Sequence, residues 1–222
     1  MTDPKVSSAI TRSLQSFSQY GDYDATAINS KFDEVFSSDD DFLTKVDLLD
    51  AIFDENPQVD ELREVFFDLL MINFFSEDVK KLEDDYLETP EWEAIEEDTI
   101  DRGTELLNVL LYLNECQDED IEPELEDFLK EFLLVDEDEF QDEYRIYEPV
   151  ITNQILIESP VSEIRKVAEK VDEESELREL FYPIMCFFQN PDPGQDDKTT
   201  IADSAVNKSF DMAVLEILVS FN

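Results

Sequence analysis

Carboxylates are the side chains of this chain that could do chemistry, because 59 of its 222 residues are Asp or Glu and none is His. The absence of His excludes His-containing zinc, di-iron and deaminase sites. Cys116 and Cys186 lie too far apart in sequence for a zinc motif. An EF-hand loop needs Gly at its sixth position, whereas residues 192–197 have Gly third and residues 136–140 have none. The sequence therefore predicts no metal ion and no cofactor.

Acid pairs at helical spacing offer a second kind of chemistry, the binding of Mg²⁺ for reactions at phosphate. Residues 84–88, Asp-Asp-Tyr-Leu-Glu, resemble the acidic motif of all-α isoprenoid enzymes. Glu93 and Glu96 form one pair of acids three residues apart. Glu124 and Asp127 form another, and the two pairs resemble the carboxylate pairs of all-α nucleotide pyrophosphatases. These local resemblances imply a magnesium-dependent enzyme acting on phosphorylated substrates.

Other residues needed for such catalysis are scarce. Enzymes that act on phosphates use basic side chains to hold them, and residues 82–143 contain only Arg102 and Lys130. Three isolated Gly residues cannot form a phosphate-binding loop, and a nucleophilic triad would lack its His base. We therefore expect a protein without enzymatic activity. The magnesium-dependent enzyme and a Lys-based nucleophile stay open as alternatives.

The charge of the chain predicts the chemistry of its partner. The formal net charge is −43, and residues 82–143 hold 26 acids against two bases. Such a surface repels nucleic acid and anionic membranes and attracts basic proteins over roughly 8 Å at physiological salt. The one basic cluster, at residues 165–170, is interleaved with acids that pair with it at helical spacing. The sequence thus predicts a basic protein partner, with neither nucleic acid nor membrane.

The elements that must position these acids are predicted to be helices. Apolar residues recur every three to four positions along almost the whole chain. Helix starts are marked at Asp3-Pro4 and Thr89-Pro90, where a capping side chain precedes Pro at the first helical position. Gly21 is expected to end the first helix. The pattern predicts an all-α protein of about nine to eleven helices joined by short turns.

Residues 1–222 are expected to form one all-α domain, with a subdivision near residues 89–90 left open and a loop at residues 190–198. Helix starts recur roughly every 15 to 20 residues. This spacing fits either an irregular helical bundle or an α-solenoid-like stack of helical hairpins. The segment 57–75 is apolar on nearly all sides, which predicts a helix at the centre of the core.

Several helix ends are predicted from local pattern alone. We expect a short acidic helix at residues 76–87 and another that starts at Thr89 and runs through Ile95. Its continuation past Gly103 to residue 113 is left open. An amphipathic helix is expected at residues 121–134. Another is expected at residues 173–189, with a kink at Pro183.

The acid-rich region supplies the candidate binding residues. Carboxylates on rigid helices lie about 5 to 6 Å apart, so they can imitate a phosphate backbone and steer a basic protein. The candidates are Glu93, Glu96, Glu97, Asp98, Asp118, Glu119, Asp120, Glu122, Asp136, Glu137, Asp138 and Glu139. Trp92, Tyr86 and Tyr112 are candidate aromatic anchors beside them.

These features favour a binding protein that docks a basic partner by electrostatic complementarity, such as an inhibitor or immunity protein, a DNA mimic, or a chaperone or adaptor. A scaffold that binds through an apolar groove between helices is a further alternative. The acidic face also fits a role in solubility alone, or a halophilic proteome in which every protein is acidic.

Location in the cell is predicted from the termini, the apolar runs and the cysteines. Residues 1–8 are polar and do not resemble a secretory signal, and no apolar run reaches the roughly 18 residues that span a membrane. Cys116 and Cys186 are expected to be reduced core residues. The prediction is a cytoplasmic protein of undetermined oligomeric state.

Overall fold

The structure is a computed structural model that describes residues 2–77, 86, 88–131 and 139–222. Twelve α-helices lie in these residues, with bounds α1 Pro4–Tyr20, α2 Asn29–Ser37, α3 Phe42–Glu55, α4 Arg63–Glu77, α5 Pro90–Thr99, α6 Leu107–Glu119, α7 Leu125–Glu131, α8 Glu139–Thr152, α9 Val161–Ala168, α10 Phe181–Gln189, α11 Gln195–Ser204 and α12 Lys208–Phe221. Three 3₁₀ helices span Ala25–Ile28, Pro57–Leu62 and Gln154–Glu158. The described residues contain no strand, and the all-α prediction is confirmed.

Helix starts follow the capping signals in the sequence. The Asp3 carboxylate accepts a hydrogen bond from the backbone N–H of Lys5 at 2.7 Å, and α1 ends before Gly21 as predicted. Asp41 caps α3, and hydrogen bonds from Thr44 hold its pKa below the ordinary value. Thr89 caps α5 through its hydroxyl oxygen. These capping side chains satisfy N–H groups that have no partner within the helix.

The two ends of the chain meet at the centre of the fold. α1 and α12 form the most extensive helix pair, and α12 also packs against α10 and α6. Nine of the fourteen residues of α12 are buried, including Phe210, Leu215 and Phe221. A solenoid brings together only neighbouring repeats. The contact between the first and last helices is therefore that of an irregular bundle.

α4 lies inside this bundle, as its apolar sequence predicts. Every residue from Val65 to Phe75 is buried, and the Phe66 ring lies 4.6 Å from that of Phe32 in α2. The two polar residues in this stretch, Asp68 and Asn73, are buried with it. The Asn73 side chain accepts a hydrogen bond from the backbone N–H of Asp3 at 2.9 Å, which joins α4 to the start of α1.

The helix that starts after Thr89 does not continue past Gly103, because residues 89–113 contain two helices. α5 ends at Thr99, and α6 begins at Leu107 after an irregular segment. Long-range contacts hold that segment out of helical geometry: the N–H of Gly103 donates to Glu64 at 3.1 Å, and that of Leu106 donates to Asp68 at 3.2 Å. The helix predicted at residues 76–87 falls mostly on residues 78–85 and 87, outside the described part of the chain.

Two further helices begin later in the sequence than predicted, and each begins near a Pro residue. The helix expected from residue 121 begins at Leu125, after Pro123, and residues 132–134 lie outside the described part of the chain. The helix expected over residues 173–189 begins at Phe181. Pro183 thus lies in its first turn, where a missing N–H leaves no hydrogen bond broken, so no kink is required.

The loop predicted at residues 190–198 is shorter than expected. α11 begins at Gln195, where Asp197 accepts a hydrogen bond from the backbone N–H of Gly194 at 3.0 Å. Within the described ranges, no helix is both long enough and apolar enough to cross a membrane.

Candidate functional site

The first group of predicted acids lies on α5. One face of this helix is attached to the bundle: Ile95 is buried, and the Trp92 ring lies 5.5 Å from that of Phe75 and 6.2 Å from that of Tyr86. The main helical neighbour of α5 is α3. The rest of α5 faces solvent and carries the exposed acids Glu91, Glu93, Glu96, Glu97 and Asp98. Among the described residues, none of these carboxylates forms an ion pair. We call these five residues the α5 acidic surface.

The second group of predicted acids surrounds the end of α6. Asp118, Glu119, Asp120 and Glu122 are all exposed. Asp120 ends the helix in the left-handed conformation, with φ of 57°, and the following N–H, from Ile121, donates to the Cys116 carbonyl at 2.9 Å. α6 packs on α4 and α12, whereas α5 packs on α3. The two groups therefore have different supports in the bundle.

The remaining candidates are only partly described. Asp136, Glu137 and Asp138 lie outside the described residues, and Glu139 is the first residue of α8. Of the aromatic candidates, Tyr112 is buried, and its hydroxyl oxygen accepts from the N–H of Glu124 at 3.0 Å. That bond joins α6 to the start of α7, so Tyr112 is part of the core.

The basic residues contrast with these acids because several face inward. The Arg102 guanidinium is only 16% exposed and forms ion pairs with Asp50 at 3.0 Å and Glu64 at 3.2 Å. It also lies over the Phe67 ring, 4.6 Å from the centroid. Because Arg102 follows α5 in sequence, these contacts fix the end of the α5 acidic surface against α3 and α4.

Arg63 shares Asp50 with Arg102. Its guanidinium also pairs with Asp54 at 2.7 Å and Asp60 at 2.8 Å, and it is 22% exposed. Burial alone would lower the pKa of Arg63, but the hydrogen bonds that its guanidinium donates to these three carboxylates raise it above the ordinary value. The charges of the two arginines are therefore matched by carboxylates within the fold.

A second pair of bases shares one carboxylate, between α1, α11 and α12. Arg12 and Lys198 both contact Glu216, each at 2.6 Å, and the Glu216 side chain is 13% exposed. In total, ten basic residues pair with carboxylates within the described part of the chain: Arg12, Lys31, Arg63, Arg102, Lys130, Arg165, Lys166, Arg178, Lys198 and Lys208. None of these ten bases pairs with a carboxylate of the α5 acidic surface.

Sequence reasoning did not identify Asp68, a buried carboxyl behind the segment that joins α5 to α6. One oxygen accepts the Leu106 N–H, and the other has no hydrogen-bond partner among the described residues. Burial raises the pKa of Asp68 well above its usual range, and the charges of Glu105 and Glu64 raise it further. The pKa of Glu105 is also raised, chiefly by burial. The one sign of a buried carboxyl in the sequence is that Asp68 interrupts an apolar run.

No reactive thiol or metal centre emerges from the described residues. Cys116 and Cys186 are both buried, as predicted, and burial raises the pKa of Cys186 to about 12. No cluster of three or more His, Cys, Asp or Glu within the described ranges is arranged to hold a metal ion. The Glu93 and Glu96 pair points into solvent from α5.

Comparison with known proteins gives no match: no family model fits the sequence, and neither a curated protein nor a solved structure is similar to the chain.

Proposed function

We propose that this protein is a non-enzymatic binding protein that docks a basic protein partner on the α5 acidic surface. The observation that supports this proposal is the division of charge between inside and outside. Inside the fold, ion pairs that join helices are formed by Arg63, Arg102 and Lys198. Outside, five carboxylates of the ten-residue helix α5 face solvent and form no ion pair among the described residues.

Physical chemistry gives this surface two properties of a docking site. Its charges add over about a Debye length, so a basic protein is steered towards α5 before contact. The acids stand on a helix whose position is fixed by Trp92, Ile95 and Arg102, so little order has to be imposed on binding. An inhibitor, a DNA mimic and a chaperone or adaptor for a nucleic-acid-binding protein would all use such a surface.

An exposed apolar side chain lies at the end of the same surface. Ile100 follows α5 directly and is 77% exposed. Its backbone is held in place because the N–H of Arg102 donates to the Thr99 carbonyl at 2.9 Å. An apolar residue surrounded by charge is a common centre of binding energy in protein interfaces, where the charged rim sets rate and specificity.

Charge reversal on α5 tests this proposal. The protein, immobilised, is exposed to native lysate at about 50 mM and about 500 mM NaCl, and captured proteins are identified by mass. We expect a protein of high isoelectric point that is retained at low salt and released at high salt. The double variant Glu96→Lys/Glu97→Lys should weaken its binding at least tenfold, measured by titration with the purified partner.

The matched control is Asp22→Lys/Glu34→Lys, which makes the same change in net charge on exposed residues at the end of α1 and on α2. It should retain most of the affinity. Equal losses in both double variants would show that only total charge matters. A partner that binds equally at both salt concentrations would contradict electrostatic docking.

A further inference from the structure

A second acidic feature, lined by no residue of α5, is a groove of about 720 Å³ between α8, α9 and the turn at residues 172–176. Its less exposed lining combines four apolar side chains, Ile146, Pro149, Val167 and Val171, with the polar side chains of Asn153 and Ser175. Its exposed lining carries four acids and one base: Glu148, Asp172, Glu174, Glu176 and Lys170. An apolar floor with an acidic rim is complementary to an apolar side chain flanked by bases.

The wall of the groove is held in shape by backbone contacts. The Asp172 carboxylate accepts a hydrogen bond from the backbone N–H of Glu174 at 3.0 Å. The backbone carbonyl of Asp172 accepts another from the N–H of Ser175 at 3.1 Å. The Arg178 guanidinium donates to the Val171 carbonyl, which joins the far side of the turn to the end of α9. A groove formed before binding avoids much of the entropy cost of ordering a loop.

The rim is negative because it carries four acids against one base. Among the described residues, Glu148, Glu174 and Glu176 form no ion pair. The charge of Glu176 also acts inward, since it adds to the effect of burial in raising the pKa of Glu105. A second copy of this chain, with its net charge of −43, is repelled from such a rim, as is an anionic membrane.

We propose that this groove binds a short basic segment of a protein partner, in which one Leu-like side chain lies on the floor between Lys or Arg residues that contact the rim. The volume is in the range of sites that enclose a side chain and its neighbours. The proposal rests on the proposed function, because it assigns a second contact for a basic partner, lined by residues other than those of α5.

Synthetic pentapeptides test the groove directly. The probe is Lys-Arg-Leu-Arg-Lys, and its matched control carries Ser in place of Leu. Both are titrated at about 150 mM NaCl into the full chain with labelled methyl groups. We expect saturable shifts at the methyl groups of Ile146, Val167 and Val171. The Ser peptide should bind about tenfold more weakly, because it has no apolar side chain to bury.

Rim variants separate this site from α5. Glu148→Gln/Glu174→Gln/Glu176→Gln should weaken the Leu peptide about tenfold, since each rim charge contributes modestly. Glu93→Gln/Glu96→Gln/Glu97→Gln removes equal charge on α5 and should leave peptide affinity unchanged. Shifts centred on α5, equal affinity for both peptides, or no binding would each overturn the groove proposal. The α5 proposal would still stand if lysate capture depends on Glu96 and Glu97.

Discussion

Asp211 shows how a single acid is kept within the core. Its carboxylate is 2% exposed and accepts hydrogen bonds from the backbone N–H groups of Val206 at 2.8 Å and Asn207 at 3.0 Å, at the start of α12. Burial raises the pKa of Asp211 to about 7, despite those bonds, and the nearby charges of Glu61 and Glu179 add to the shift. Near neutral pH this residue is therefore a cost to stability.

Asp211→Asn should stabilise the protein in a pH-dependent way. The unfolded carboxyl titrates at its ordinary value of 3.8, so the folded wild type loses stability as pH rises from about 4 to about 7. Asn keeps an oxygen acceptor for both N–H groups and carries no charge. We expect the free energy of unfolding of the variant, relative to wild type, to rise by about 2 kcal/mol between about pH 5 and about pH 8.

Chemical denaturation at the two pH values measures this difference. The control is Asp22→Asn, an exposed acid that should show no such change. A stability difference for Asp211→Asn that is the same at both pH values would mean that the Asp211 charge is not disfavoured in the fold.

At the level of elements, the segment joining α5 to α6 depends on contacts with distant helices. Glu64 and Asp68 of α4 accept its N–H groups, and Arg102 connects it to Asp50 of α3. Of its two large apolar side chains, only that of Leu106, next to α6, is buried, since Ile100 faces solvent. Its conformation, and with it the orientation of the α5 acidic surface, is therefore set by polar contacts.

Arg102→Met should loosen this segment. Met retains an apolar contact with Phe67 but leaves Glu64 and Asp50 without the guanidinium, and we expect a loss of about 2 kcal/mol in the free energy of unfolding. Hydrogen exchange should increase at the N–H groups of Gly103 and Leu106. The matched control is Lys130→Met, which removes a base from the exposed pair with Glu126 and should leave stability unchanged.

Equal destabilisation by Arg102→Met and Lys130→Met would contradict a special role for Arg102. So would unchanged exchange at the N–H of Gly103, because that group donates to a carboxylate that Arg102 holds in place.

These elements also show what sequence could and could not predict. The caps at Asp3 and Thr89 were predictable because each satisfies N–H groups a few residues away. The end of α5 could not be predicted, because it depends on the contact between Arg102 and Asp50. These residues are 52 positions apart in sequence, so the contact leaves no local pattern. The exposure of the acids on α5 followed from helical spacing alone. The buried carboxyls and the groove beside α8 required the packing of helices distant in sequence.

For the whole molecule, folding must overcome a net charge of −43. Basic side chains reduce this repulsion where helices meet. Glu216 pairs with Arg12 and Lys198, which joins α1, α11 and α12. Asp50 pairs with Arg63 and Arg102, which joins α3 to the start of α4 and to the segment after α5. The acids that remain repel one another across the surface. A large apolar core, centred on α1, α4 and α12, offsets that repulsion.

This balance predicts that salt and mild acid both stabilise the fold. The melting temperature should rise by several degrees between about 20 mM and about 500 mM NaCl, because screening weakens the repulsion. It should also rise as pH falls from about 8 to about 5, because burial raises the pKa of Asp68, Glu105 and Asp211, and raised folded pKa values favour folding in acid. Further acidification should reverse the trend as carboxylates in ion pairs become protonated.

Glu96→Lys/Glu97→Lys provides the internal control for the salt effect. By making the net charge less negative, it should raise the melting temperature at low salt and reduce the dependence on NaCl. Sucrose at matched osmolality separates screening from a general effect of cosolutes. A melting temperature that does not change with NaCl would show that the surface acids do not oppose folding. A rise continuing into molar salt would instead favour the halophilic interpretation, because screening is nearly complete at about 500 mM.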